Sequence, residues 1–213
     1  MTTLVLIRHG QSLANRDKIF IGQQDYPLSD LGVRQAELTA EYVAQNFQVD
    51  KIYASDLSRA YCTGKALADR LGMEITVEKG VREIFLGDWE GTKFEDLYDS
   101  EDEMYRIWQT DIGKSQCPNG ENPRDVLERA TKALERIAQE NDKKTVAIAT
   151  HAMVIRVLRC HYENRTIEDL REVPWTTNAS VTVLTYDNGK LGVQAVDLDE
   201  HLGELCTNIS KKA

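Results

Sequence analysis

The chain switches repeatedly between short continuous apolar runs and longer stretches in which apolar residues return at helical spacing. Thr3 to Ile7 is a Leu, Val and Ile run that stops at Arg8-His9-Gly10, the pattern of a buried strand feeding a loop. Behind Ser29 and Asp30, either of which can cap, Leu31, Leu38, Tyr42, Val43 and Phe47 predict a helix. Val49 to Ala54 reads as a second strand. Ser55-Asp56-Leu57-Ser58 then supplies polar caps for an Ala-, Leu- and Arg-bearing helix stopping at Gly72. Residues 74–78 predict a third short strand, and the Gly and acidic content of 80–91 a loop. Ser100 and Glu103 have capping-box spacing ahead of Met104, Ile107 and Trp108, while Asn122-Pro123 with Asp125 opens a helix running to about Asn141. Thr145 to Thr150 is a strand ending at His151, followed by helix over 152–161. Residues 180–186 and 190–196 flank Asn188-Gly189 as a hairpin.

Strands alternating with helices predict an α/β fold, a three-layer α/β/α sandwich. Its sheet is mostly parallel with an antiparallel edge strand from the terminal hairpin, and 92–122 forms a helical, lid-like insertion. No repeat or linker-like tract interrupts the 213 residues, so a single domain over 1–213 is expected. In such sheets ligands lie beyond the carboxyl ends of the strands, where Arg8-His9, Ser58-Arg59 and His151 fall.

Composition narrows the function classes. With 41% hydrophobic and 29% charged residues the chain has enough apolar content for a packed core. The 35 acidic against 26 basic residues leave a net charge of -9, which argues against a nucleic-acid partner. A small anion is still compatible, because a local Arg and His cluster sets the potential inside a cleft. The longest apolar stretch, Leu4 to Ile7, is far too short for a membrane span, and no secretory signal is visible. Cys62, Cys117, Cys160 and Cys206 are scattered without a C-x-x-C pair, which reads as reduced thiols in a cytoplasm. Oligomeric state is open, a homodimer among the options.

A single histidine is usually structural, but His9 and His151 both terminate strand-like runs, and together they point to one crevice. Arg59 mid-helix would read as a solvated residue. In a first helical turn, beside free backbone N–H groups, it favours an anion. Trp89, Trp108 and Trp175 read as core or cleft-wall aromatics, Glu101-Asp102-Glu103 as a solvated helix start, and Asn122 as a cap.

The stretch Arg8-His9-Gly10-Gln11-Ser12-Leu13-Ala14-Asn15 resembles the signature of the histidine phosphatase, or phosphoglycerate mutase-like, superfamily. The resemblance continues through Gly22, residues 25–29, Gly32, Gln35-Ala36, residues 54–60, Glu83, residues 87–91 and Thr150-His151-Ala152. It implies that His9 is the nucleophile that becomes a phosphohistidine, with Arg8, Arg59 and His151 around the phosphoryl group. It further implies substrate binding by Asn15, Gly22, Gln11 and Gln23, and a general acid and base at Glu83. A neutral imidazole suits the nucleophile, and burial would raise the Glu83 pKa as that role requires. The resemblance calls for no metal or other cofactor, and for a small phosphorylated metabolite as partner.

Within that superfamily, mutases of the phosphoglycerate type resemble Glu-Arg-His-Tyr-Gly at the acid loop and carry a basic insertion. This chain has Glu83-Ile84-Phe85-Leu86-Gly87, and its 92–122 segment is acidic without an Arg-Arg pair, which favours a phosphatase. A cofactor-dependent phosphoglycerate mutase and a catalytically silent phospho-ligand binding module are the alternatives. Phe20, Ile21 and Gln23 beside Gly22, with 92–122, are the expected specificity elements.

Overall fold

The computed structural model describes residues 1–207. Six strands form one sheet in the order β3-β2-β4-β1-β5-β6: β1 (Thr2–Arg8), β2 (Lys51–Ala54), β3 (Ile75–Val77), β4 (Thr145–Thr150), β5 (Val181–Asp187) and β6 (Lys190–Leu198). The first four are mutually parallel, while β5 is antiparallel to both neighbours. The terminal hairpin therefore forms the antiparallel edge that the sequence suggested, with β5 running against β1 and β6 outermost, running against β5. Asn188 and Gly189 both have positive φ, 50° and 80°, as a two-residue hairpin turn requires.

Alternate residues of the central strands serve opposite faces. Leu4, Leu6, Val146 and Ile148 join α6 (Pro123–Glu140) and α7 (Ala152–Tyr162) in one core. Val5, Ile7 and Ala147 join α2 (Asp30–Asn46) and α3 (Ser58–Leu71) in the other. Both faces are covered, so the centres of β1 and β4, residues 4–7 and 146–149, are apolar on both sides, and each fully buried Leu or Ile there stabilises by about 1.5–3 kcal/mol.

Two starts differ from the sequence reading. The residues 55–58 do not cap α3: Leu57 occupies that position without a side-chain bond, and Asp25 of a distant loop accepts from Ser58 N at 2.7 Å. Ser100 is not the cap of α5 (Glu103–Thr110) either. Its hydroxyl donates to Leu97 O behind α4 (Phe94–Tyr98), and Asp102 accepts from Met104 N and Tyr105 N. The other Asp102 oxygen accepts from Trp89 Nε1, so that carboxylate is tied into the core rather than merely solvated. Phe20, Trp89, Tyr105 and Trp108 form an edge-on aromatic cluster that fastens 94–110 to the body of the molecule. Residues 80–91, expected as loop, contain two short 3-10 turns, Lys79–Val81 and Gly87–Trp89.

A five-residue helix, α1 (Leu13–Asp17), was too short to show periodicity; Ser12 and Asn15 close a capping box at its start. The loop before it touches the start of α2 backbone to backbone. A Cβ on Gly10 would stand 2.3 Å from Gly32 O, a contact only glycine permits. Among the described residues no helix is long and apolar enough to cross a membrane, and all four cysteines are free.

Candidate active site

The strands β2, β4 and β1 are neighbours in the sheet, and the residue just past each is Ser55, His151 and His9. Parallel strands stand about 4.8 Å apart, so these three residues line up along one edge. The backbone there is fixed by the ladder: His9 N donates to Thr150 O at 3.0 Å, Ser55 N to Ala149 O at 3.0 Å, and His9 O accepts from Ala179 N at 3.1 Å. The His9 and His151 rings lie 5.2 Å apart.

Hydrogen bonds set the His9 ring. Its Nδ1 donates to Gly10 O at 2.7 Å, leaving the Nε2 lone pair free. Burial first, then the Arg59 and Arg8 charges, hold its pKa well below 6.5, so the imidazole is neutral. His151 is likewise held well below 6.5, by burial and then by Arg59. Its Nε2 is 2.9 Å from Ser55 Oγ, and its Nδ1 is buried with no partner. Ser55, which the sequence offers only as a helix cap, obeys the same strand-end rule that singles out the two histidines.

Two guanidinium groups face this pair. Arg59 is 1% exposed and donates to Gly22 O at 2.7 Å and Gln24 O at 3.0 Å. Arg8 donates to Thr176 O, and burial lowers its pKa to about 10, leaving it protonated at neutral pH. The Nε atoms of both arginines are buried without partners. Among the described residues neither arginine pairs directly with a side-chain carboxylate, and this leaves a concentration of positive charge in a protein whose net charge is -9.

Glu83 joins them from the loop after β3. Its neighbour Arg82 pairs with Asp56 instead. Glu83 Oε1 accepts from Ile84 N at 2.9 Å and from Met153 N, in the first turn of α7, at 3.2 Å. The residue is partly exposed, but its carboxyl group is enclosed, and that desolvation raises its pKa above 4.5 against the pull of Arg59 and Arg8. Oε1 is occupied by two donors, so it is Oε2 that carries the proton when the group is in its acid form.

The expected binding residues divide. Asn15 Oδ1 accepts from Ser12 N and from Asn178 Nδ2, which also donates to His9 O; Asn15 is thereby tied to the His9 loop with its Nδ2 left over. Gly22 and Gln23 sit behind the charged groups: Gly22 O holds Arg59, and Gln23 Nε2 donates to Glu83 O. Gln11 turns to the start of α2, its Oε1 accepting from Ser29 Oγ. Phe20 packs against Phe94 with ring centroids 4.3 Å apart, and Ile21 is buried. Trp175 is not core: it is 43% exposed and stacks on Arg156, 3.9 Å from ring centroid to guanidinium carbon. Among the described residues no group of three or more His, Cys, Asp or Glu side chains could hold a metal ion.

The buried neutral histidines make stability pH-dependent. Unfolded histidines take up protons near pH 6.5, whereas the folded pair resists them, so stability present above that pH is lost as the pH falls toward the depressed folded values. In thermal melts from pH 8 to 5, the parent Tm is expected to drop relative to that of His151→Asn as acid is added. A constant gap between the two would contradict neutral burial of His151.

The family model described as histidine phosphatase superfamily (branch 1) matches residues 4–199. Phosphoglycerate mutase-like protein 4 of Arabidopsis thaliana is 31% identical over 204 residues, covering 94% of this chain and 87% of its own. Phosphoserine phosphatase 1 of Hydrogenobacter thermophilus is 28% identical and covered at 99% on both sides. A mycobacterial glucosyl-3-phosphoglycerate phosphatase, solved with VO3, superposes with a TM-score of 0.82 at 29% identity, over 92% of this chain and 98% of that one.

Proposed function

The chain belongs to the histidine phosphatase superfamily, branch 1, and from that premise we propose that it hydrolyses small phosphomonoesters through a phosphohistidine at His9, with Glu83 as general acid and base. The observation that carries this reading is the His9 ring: neutral, tied through Nδ1, its Nε2 lone pair free between two guanidinium groups. The phosphatase names of the Hydrogenobacter and mycobacterial relatives support it.

In the first step His9 Nε2 bonds to phosphorus as the ester P–O bond breaks, and Glu83 Oε2 gives its proton to the departing oxygen. The charge building on the phosphoryl oxygens is met by Arg8, Arg59, the Asn15 amide and His151 Nδ1. In this scheme Ser55 Oγ, which accepts from Leu57 N, donates its own hydrogen to His151 Nε2, and the ring hydrogen is on Nδ1. In the second step ionised Glu83 takes a proton from water attacking the phosphohistidine. Orthophosphate leaves, and His9 is neutral again.

Fixed protein cations do the electrostatic work in this scheme, so phosphate release from a panel of metabolite monoesters should proceed undiminished in excess chelator. Ranking by kcat/KM identifies the preferred ester. Interconversion of 3- and 2-phosphoglycerate far faster than phosphate release would replace this reading with a mutase, and absence of both with a binding module.

A further inference from the structure

The acid loop has a second clamp, outside the phosphate-binding cluster. Arg129, on α6, uses all five of its N–H groups. Nη1 donates to Gly80 O at 3.0 Å and Arg82 O at 2.6 Å, and Nη2 to Glu83 O at 2.9 Å. The remaining two hydrogens form a bidentate pair with Glu121, at 2.7 and 2.9 Å. Glu121 in turn grips the far side of the same loop, accepting from Phe85 N at 2.8 Å through Oε2 while its own N–H donates to Phe85 O at 2.8 Å.

Residues 80–85 are therefore stitched to the start of α6 on both sides of Glu83. That start is itself rigid, with Pro123 in the first turn and a reciprocal Asn122 and Asp125 capping box. A guanidinium is the one side chain whose planar fork reaches three carbonyls and a carboxylate at once; a lysine ammonium has three hydrogens and no fork. No ordinary surface ion pair demands such an arrangement, and the backbone atoms it holds include the carbonyl of Glu83 itself and that of its neighbour Arg82.

Building on the phosphatase reading above, we propose that Arg129, braced by Glu121, is a positioning residue that sets the Glu83 carboxyl group at the leaving oxygen. Its function is then felt only where a proton must be delivered. Esters whose leaving group departs as a stable anion need little help from Glu83, whereas alkyl esters need it fully.

The test is kcat/KM, which reports the phosphorylation step, for parent, Arg129→Lys and Glu121→Gln across dinitrophenyl, nitrophenyl, phenyl and alkyl phosphates. Arg129→Lys keeps the positive charge, so its effect reports geometry. Its loss is expected to be near unity with dinitrophenyl phosphate and to climb to about 100-fold with the alkyl ester. Glu121→Gln should show the same trend at smaller amplitude, and it serves alone if Arg129→Lys is insoluble. Placed on a Glu83→Gln background, Arg129→Lys should cost nothing further.

An equal loss across the whole series, or full additivity with Glu83→Gln, would reduce Arg129 to a general structural brace and overturn the proposal. A parent that releases no phosphate from any ester in the series would instead sink the phosphatase reading, and the positioning role with it.

Discussion

Replacement of His9 by alanine is expected to lower kcat for phosphate release by about 10⁵-fold or more, the scale seen when a covalent nucleophile is removed. KM should change far less, because Arg8, Arg59 and His151 all remain to hold the phosphoryl group. The backbone at this position is set by bonds to Thr150, Ala179 and Asn178 and not by the imidazole, so the variant should fold. A second readout follows from the chemistry of the intermediate. Parent protein quenched during turnover of a radiolabelled ester should carry phosphate stable to alkali and labile to acid, and His9→Ala should carry none. Retention of activity within tenfold, or labelling that persists in the variant, would move the nucleophile elsewhere.

Glu83→Gln has the next largest expected effect, about 10²–10⁴-fold on alkyl phosphates, the range for loss of a positioned general acid. Its pH signature is specific. In the proposed first step the acid form of Glu83 is the active one, so kcat/KM should fall on the alkaline side as Glu83 ionises, at a pH above the ordinary carboxyl value because the group is desolvated. That falling limb should vanish in the variant.

Stability should move the other way. A carboxyl group whose folded pKa is raised stabilises while protonated and gives up that contribution as pH rises through the folded pKa. Above its folded pKa the parent holds an enclosed carboxylate that glutamine does not impose, so Glu83→Gln should melt above the parent on the alkaline side, and the gap should close as the pH falls back through the folded Glu83 pKa. A variant that is both inactive and less stable above that pKa would show that Glu83 is held for packing.

Much of this site could be read from the chain because strand ends are visible in a sequence. The apolar runs 3–7 and 145–150 stop just before His9 and His151, and the parallel pairing of β1 with β4 sets those two residues side by side. The same logic, applied to the end of the second strand, would have exposed Ser55. Helix starts were less legible. Whether Ser100 or Asp102 caps α5, or whether any nearby polar residue caps α3, depends on partners such as Asp25 and Trp89 that lie far away in sequence.

The local pattern of this chain determined its main elements and its α/β class, since these rest on periodicity, while its short motifs supplied the nucleophile and acid candidates through their resemblance to a family. Tertiary structure alone decided their chemical states. Neutrality of His9 and the raised pKa of Glu83 arise from burial and, for His9, from two guanidinium groups that no side-chain carboxylate among the described residues pairs with directly. Desolvation and Coulomb energy depend on distance through space, and no spacing along the chain encodes it.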